Sequence, residues 1–116
     1  MEVSYADRED FVRLTTSTYN DVMQYADAPH RAPEVRRSNF FYAEAIKEAA
    51  GLVVEGFNSL PLETSKEKYF EPVRNLIETT EQILRSNDDA ALEALGGRDT
   101  IQSMLWAYTA VSRNYI

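Results

Sequence analysis

The stretch "YFEPVRNLIETTEQILR", residues 69–85, decides the fold class. Its apolar residues recur at intervals of three and four, as they do along one face of an α-helix. Acidic and basic side chains occupy the opposite face at spacings that allow favourable pairs. Pro72 lies near the start, where a helix tolerates proline, so the pattern predicts one amphipathic helix. The face that we expect to be buried comprises Tyr69, Phe70, Val73, Leu76, Ile77, Thr80, Ile83 and Leu84. Residues 65–69 form either its first turn or a separate preceding turn.

Two helices are predicted before this stretch. The first spans about residues 7–26 and ends at the proline-containing segment 26–33, because a residue that precedes proline favours extended geometry. The second ends near Ser59. It begins either at Pro33, which suits the first helical position, or at Ser38, which suits an N-cap. Its apolar arc is wide, which is typical of a helix packed against several neighbours.

Two more helices are predicted after it. Residues 88–95 form a short helix that Gly96 and Gly97 terminate, and the last helix begins with Asp99 as its N-cap and reaches the C-terminus. No segment shows the sustained period of two that indicates a strand. Amphipathic helices with short connections predict an antiparallel bundle. We therefore expect an all-α fold in which residues 1–116 form a single domain, a compact antiparallel bundle of four main helices plus a short helix before the last one.

Composition excludes several classes of function. The chain has 116 residues and a formal net charge of −7, and an acidic surface repels nucleic-acid phosphates and anionic lipids. No apolar run approaches the length of a membrane-spanning helix. The N-terminus lacks the basic and then apolar order of a signal peptide. We expect a cytoplasmic protein that neither binds nucleic acid directly nor enters a membrane.

Few residues that carry chemistry are present. There is no cysteine and one histidine, so sites built from Cys and His ligands or from two Glu-x-x-His pairs are excluded. The sequence has no glycine-rich phosphate loop and no Gly-x-Ser-x-Gly nucleophile motif. Every predicted helix keeps its charges on its polar side, whereas small helical enzymes point several inward. We expect no catalytic site, no metal and no cofactor.

The stretch "APHRAPEVRR", residues 28–37, concentrates basic residues in an acidic chain. If the second helix begins at Pro33, its first turns carry cations where the helix dipole favours an anion. A bound phosphate or carboxylate would remove that conflict. The alternative is a solvated loop that enters a helix. The candidate anion-binding residues are His30, Arg31, Arg36, Arg37 and Tyr42.

The last helix places the only tryptophan away from its main apolar stripe. Either this helix is internal to the bundle, or the second face meets another protein, since tryptophan is enriched at interface hot spots. Small neighbours would allow close approach of a partner. The candidate partner-binding residues are Trp106, Ser103, Ala110 and Arg113.

Acidic residues cluster from Glu63 to Asp89. They form either a solvated helix face or a surface that imitates nucleic-acid phosphates. Arg74 and Arg85 interrupt the run and weaken the second alternative.

The stretch "EAAGLVVEGFNSL", residues 48–60, resembles the bacterial four-helix-bundle proteins that are encoded in ribosomal RNA intervening sequences. The resemblance rests mainly on Glu55, Gly56 and Phe57. Those proteins are often basic and this chain is acidic, so no functional residue is carried over.

The sequence as a whole favours a small acidic, non-enzymatic protein-binding module of the inhibitor, immunity-protein or accessory-subunit type. It would dock a helical face on another protein, or on a second copy of itself. The first alternative is a binder of a small anionic ligand such as a nucleotide through residues 28–42. The second is a nucleic-acid-mimicking inhibitor.

Overall fold

The computed structural model describes residues 3–113, which form five α-helices and no strand. The helices are α1 (Tyr5–Ala26), α2 (Pro33–Ser59), α3 (Lys66–Arg85), α4 (Asp89–Ala94) and α5 (Arg98–Arg113). They pack against one another as a compact all-α bundle, which confirms the predicted fold class.

The long helix α2 lies at the centre of the bundle. It packs against α1, α3 and α5, while α3 also packs against α5. The wide apolar arc of α2 predicted several neighbours, and its buried side chains are distributed accordingly: Ala43, Ala45, Ile46, Ala49, Ala50, Val53 and Phe57.

Contacts between named atoms fix the helix directions. Arg36 Nε near the start of α2 donates to the carbonyl oxygen of Ala26 at the end of α1 over 2.9 Å. Arg8 near the start of α1 reaches the Phe57 carbonyl near the end of α2, so these two helices are antiparallel. Helices α2 and α5 run in the same direction, because Ser38 lies beside Ser103 and Glu48 lies beside Tyr108, with oxygen–oxygen distances of 2.9 Å in both pairs.

Aromatic rings fill the end of the core where three helices meet. The ring of Phe11 on α1 packs edge-on against Phe57 at 5.8 Å and against Phe70 at 5.5 Å between centroids. The predicted buried face of α3 is confirmed. Val73 is fully buried, and Leu76 is half-buried against the core.

The structure resolves the two helix starts that the sequence left open, those of α2 and α3. Helix α2 begins at Pro33, and Ser38 lies inside it with its hydroxyl against that of Ser103. Helix α3 has Ser65 at its N-cap position, so the residues that follow form its first turn and not a separate turn.

The prediction that Asp99 caps α5 is wrong by two residues, because the helix begins at Arg98 and Gly97 occupies the N-cap position. Gly96 and Gly97, with φ of 101° and 96°, close α4. The Gly97 amide donates to the Leu92 carbonyl over 2.8 Å, and the Gly96 amide donates to the Glu93 carbonyl, as in a Schellman motif. The Gly97 carbonyl already accepts the first bond of α5, so Asp99 falls within the first helical turn.

The expectation that charges stay on the polar side of each helix is wrong at Arg8. This side chain is only 8% exposed, since it lies one turn before Phe11 on the same face of α1. Its guanidinium donates to the Tyr69 hydroxyl over 3.1 Å and, at a longer 3.4 Å, to the Phe57 carbonyl. The Tyr69 hydroxyl in turn donates to the Pro61 carbonyl over 3.0 Å. Arg8 thus connects α1, the end of α2 and the start of α3.

Candidate functional site

The face of α5 that carries Trp106 is open to solvent. Trp106 is 61% exposed, which makes it one of the most exposed large hydrophobic side chains in residues 3–113. Ala110 and Arg113 lie one and two turns further along the same face, half-buried and exposed respectively. The possibility that this tryptophan is internal to the bundle is therefore wrong.

Ser103 does not belong to this open face, contrary to the sequence-based assignment. It is 3% exposed, because α5 packs its small residues onto α2. Its hydroxyl lies 2.9 Å from that of Ser38 and donates to the Asp99 carbonyl over 3.1 Å. Of the predicted partner-binding residues, Trp106, Ala110 and Arg113 follow one another along α5, whereas Ser103 is buried and is reached only from the floor of a groove beside Trp106.

A groove of about 420 Å³ runs between the start of α2 and α5, with Trp106 at its edge. We call it the Trp106 groove, and its lining residues are Glu34, Val35, Ser38, Asn39, Asp99, Gln102, Ser103 and Trp106. Sequence reasoning missed the α2 side of this groove. The available signal was Val35, an apolar side chain outside the predicted buried arc of α2, which is 42% exposed.

The Trp106 groove has an acidic rim and an apolar wall. Glu34 comes from the first turn of α2 and Asp99 from the first turn of α5. None of the described residues that line the groove is basic. Val35 and Trp106 supply the apolar surface, while Asn39 and Gln102 supply amide groups. The arrangement suits a ligand that combines an apolar side chain with positive charge.

The basic residues of segment 28–37 do not converge on one point. Arg36 caps the last turn of α1 through its bond to the Ala26 carbonyl. The Arg31 guanidinium stacks on the ring of Tyr25 at 4.5 Å. The Arg37 guanidinium lies 5.6 Å from the ring of Phe41.

The other two candidate anion-binding residues, His30 and Tyr42, do not join the arginines at a common site either. His30 is exposed, and Tyr42 is half-buried, packed against the core. Desolvation raises the pKa of the Tyr42 phenol. Arg36 and Arg37 do line a shared cleft of about 310 Å³, but Asp27 lines it as well and would repel an anion. Of the predicted anion-binding residues, the structure thus brings only Arg36 and Arg37 to one cleft.

The acidic run on α3 is a solvated face with interspersed basic partners. Glu71 pairs with Lys68 at 3.8 Å and Glu81 with Arg85 at 3.2 Å. Such exposed pairs interrupt the unbroken negative charge that a mimic of nucleic acid needs.

In residues 3–113, no three histidine or carboxylate side chains gather closely enough to hold a metal ion. Within the same range, no helix has both the length and the apolar character needed to cross a bilayer.

No family model, curated protein or solved structure matches this chain. None of these comparisons supports the resemblance at residues 48–60.

Proposed function

We propose that this protein is a non-enzymatic protein-binding module that docks through the Trp106 groove. The exposure of Trp106 carries the proposal. A tryptophan that is 61% exposed presents a large apolar surface to water, and tryptophan is among the residues that contribute most binding energy at interfaces. Here it borders a groove and has a second exposed apolar residue, Val35, on the facing helix.

Charge complementarity indicates which kind of partner would bind in the Trp106 groove. The rim carries the carboxylates of Glu34 and Asp99, and the whole chain has a formal net charge of −7. Opposite potentials accelerate association and disfavour partners of like charge. We therefore propose a basic, amphipathic helical segment of another protein, with an apolar anchor against Trp106 and lysine or arginine beside Glu34 and Asp99. A second copy of this chain would bring like charges together at the rim.

The sole tryptophan provides a direct test. A lysine-rich amphipathic helical peptide is titrated into the protein, and the emission of Trp106 is followed. We expect a blue shift and protection from iodide or acrylamide quenching as the ring leaves water. A peptide of the same composition in scrambled order should bind at least about tenfold more weakly, because it cannot present an apolar anchor between its charges.

Two variants locate the binding surface. Asp99→Lys should weaken binding of the amphipathic peptide, because it reverses a charge at the rim of the groove. Glu93→Lys reverses a charge at an exposed position outside the groove and should weaken binding less. Sedimentation of the free protein tests the alternative occupant. Equal losses in the two variants, or a stable dimer that buries Trp106, would overturn the proposed docking mode.

A further inference from the structure

A second cleft, of about 580 Å³, lies between the start of α1 and the end of α2. We call it the Arg8 cleft. Its walls include Tyr5, Val12, Val54, Phe57 and Leu62, with Arg8 among the lining residues. The volume falls within the usual range for small-molecule sites, which are mostly apolar with a few polar groups that fix orientation.

Among residues 3–113, the Arg8 guanidinium in this cleft has no carboxylate partner. Arg8 takes part in none of the ion pairs found among residues 3–113. Its Nε is buried and has no hydrogen-bond partner in that range. The other nitrogens reach two neutral oxygens, the Phe57 carbonyl and the Tyr69 hydroxyl. Arg8 is only 8% exposed, and its positive charge is not paired with a carboxylate of residues 3–113.

The neighbours of Arg8 compensate this charge only in part. Three rings surround the guanidinium carbon, with centroids at 5.3 Å for Tyr5, 5.4 Å for Phe57 and 5.6 Å for Tyr69. The Phe57 carbonyl belongs to the last turn of α2, where the helix dipole is equivalent to roughly half a negative charge. A buried charge is costly unless it is paired and hydrogen-bonded. An anion at this position would complete the pairing.

The remaining walls of the cleft indicate what the anion is attached to. Tyr5 is 68% exposed, Leu62 53% and Val12 42%, so the cleft leaves apolar surface in water that an apolar ligand would cover. Arg13 and Glu9 also line it, and Arg13 is paired with Asp10 at 2.7 Å, so Arg8 is the lining cation without a carboxylate partner among residues 3–113. The cleft therefore combines apolar walls with one buried cation.

We propose that the Arg8 cleft binds a small amphiphilic carboxylate, with its carboxylate paired to Arg8 and its apolar body against Val12, Val54 and Leu62. The site lies on α1 and the end of α2, apart from the residues of the Trp106 groove, so it stands independently of the proposed docking function. The carboxylate binds in the cleft non-covalently.

Sodium octanoate is the probe that tests this site, with 1-octanol, octylamine and inorganic phosphate as matched comparisons. Binding is measured by two-dimensional NMR on the isotope-labelled full chain, including the side-chain Nε–H resonance of Arg8. We expect octanoate to shift that resonance and the amides of Val12, Val54 and Leu62. Octanol lacks the carboxylate and phosphate lacks the alkyl chain, so each should bind at least about tenfold more weakly than octanoate. Octylamine should bind more weakly still, because its positive charge is repelled by Arg8.

A pair of variants at exposed positions separates the site from general effects on folding. Val12→Glu places a negative charge in the cleft, and Leu95→Glu makes the same change at a position that is 48% exposed and outside it. We expect octanoate binding to weaken at least tenfold in the first and to stay unchanged in the second. Arg8→Met removes the charge itself and should abolish the preference for octanoate over octanol.

Several results would overturn the proposal. These are equal affinity for octanoate and octanol, shifts that map away from the cleft, or undiminished octanoate binding in folded Val12→Glu. Circular dichroism establishes folding before each titration. If Arg8→Met does not fold, the comparison of Val12→Glu with Leu95→Glu decides the outcome alone.

Discussion

Arg36 Nε donates a hydrogen bond to the carbonyl oxygen of Ala26 over 2.9 Å, which joins the start of α2 to the end of α1. A cation in the second turn of α2 is unfavourable for the dipole of its own helix. The same cation lies at the C-terminal end of α1, where the dipole favours positive charge. The neighbouring helix therefore resolves the electrostatic conflict that suggested a bound anion.

Arg36→Ala should lower the free energy of unfolding by about 1.5 kcal/mol, in the range of a hydrogen bond from a charged donor. Arg37→Ala is the matched control, since Arg37 is exposed and reaches the Gly96 carbonyl only at 3.5 Å. We expect its effect to stay within about 0.5 kcal/mol. Urea unfolding of the two variants measures the difference. Equal effects would show that Arg36 does not cap α1.

The sequence predicted the helices because local pattern determines them, and failed where contacts between helices decide. Pro33 and Ser38 both satisfy local rules for starting α2. The helix begins at Pro33, and the Ser38 hydroxyl inside it lies 2.9 Å from that of Ser103 on α5, a residue distant in sequence. The register of α5 likewise depends on the tight turn at Gly96 and Gly97 that precedes it.

The two surface sites were predictable to different degrees. The pattern of α5 placed Trp106 off the main apolar stripe, but periodicity could not show that Ser103 on a neighbouring face packs against α2. Arg8 was missed because charged residues are almost never fully buried unless paired. Its position one helical turn before Phe11 was the sequence feature that indicated burial.

Core packing can be tested by one substitution on each of two helices, with an exposed residue as the control. Ile46 is 1% exposed, and Ile46→Ala should lower the free energy of unfolding by about 2–5 kcal/mol through lost burial and a residual cavity. Leu76 is half-buried on α3, so Leu76→Ala should fall at the lower end of that range. Exposed Glu78→Ala should change stability by no more than about 0.5 kcal/mol. Equal losses at all three positions would contradict the assigned helix faces.

Gly51 lies in the middle of α2 without a packing requirement for glycine. A Cβ atom at this position would meet no atom within 4 Å, so Gly51→Ala should raise the free energy of unfolding by about 0.5–1 kcal/mol through helix propensity. Gly97→Ala provides the opposite case. Gly97 has a φ of 96°, a conformation that costs other residues about 1–2 kcal/mol, and this variant should be destabilised. Thermal unfolding of both variants checks the signs, and a destabilised Gly51→Ala would indicate an unrecognised close contact.

Trp106→Ala separates a docking role from a folding role. Because the ring is 61% exposed, we expect a loss of about 1 kcal/mol or less, well below the ~3–5 kcal/mol of a buried tryptophan. Binding of the basic amphipathic peptide should weaken by at least about 2 kcal/mol. Unfolding is followed by circular dichroism and binding by calorimetry, since the variant has no tryptophan. A large loss of stability with unchanged peptide binding would show that Trp106 has a role in folding and not in docking.

Alkaline pH tests the half-buried contact between Tyr108 on α5 and Glu48 on α2. Burial, followed by the hydrogen bond and the charge of Glu48, raises the pKa of the Tyr108 phenol well above its ordinary value. The phenol donates to Glu48 Oε1 over 2.9 Å and is 2% exposed. The folded state therefore keeps this proton at a pH where the unfolded chain releases it.

The sign of the effect follows from that difference in bound protons. The stabilisation by neutral Tyr108 is complete below the ordinary tyrosine pKa of about 10, and it is lost as the pH rises from there towards the higher pKa of the folded state. Each retained proton contributes a slope of up to about 1.4 kcal/mol per pH unit. In Tyr108→Phe the alkaline decline should be shallower, though not absent, because burial also raises the pKa of Tyr42. Urea unfolding of wild type and variant from pH 8 to about pH 11 measures both slopes. Identical slopes would mean that the Tyr108 hydroxyl is not held against Glu48 in the folded protein.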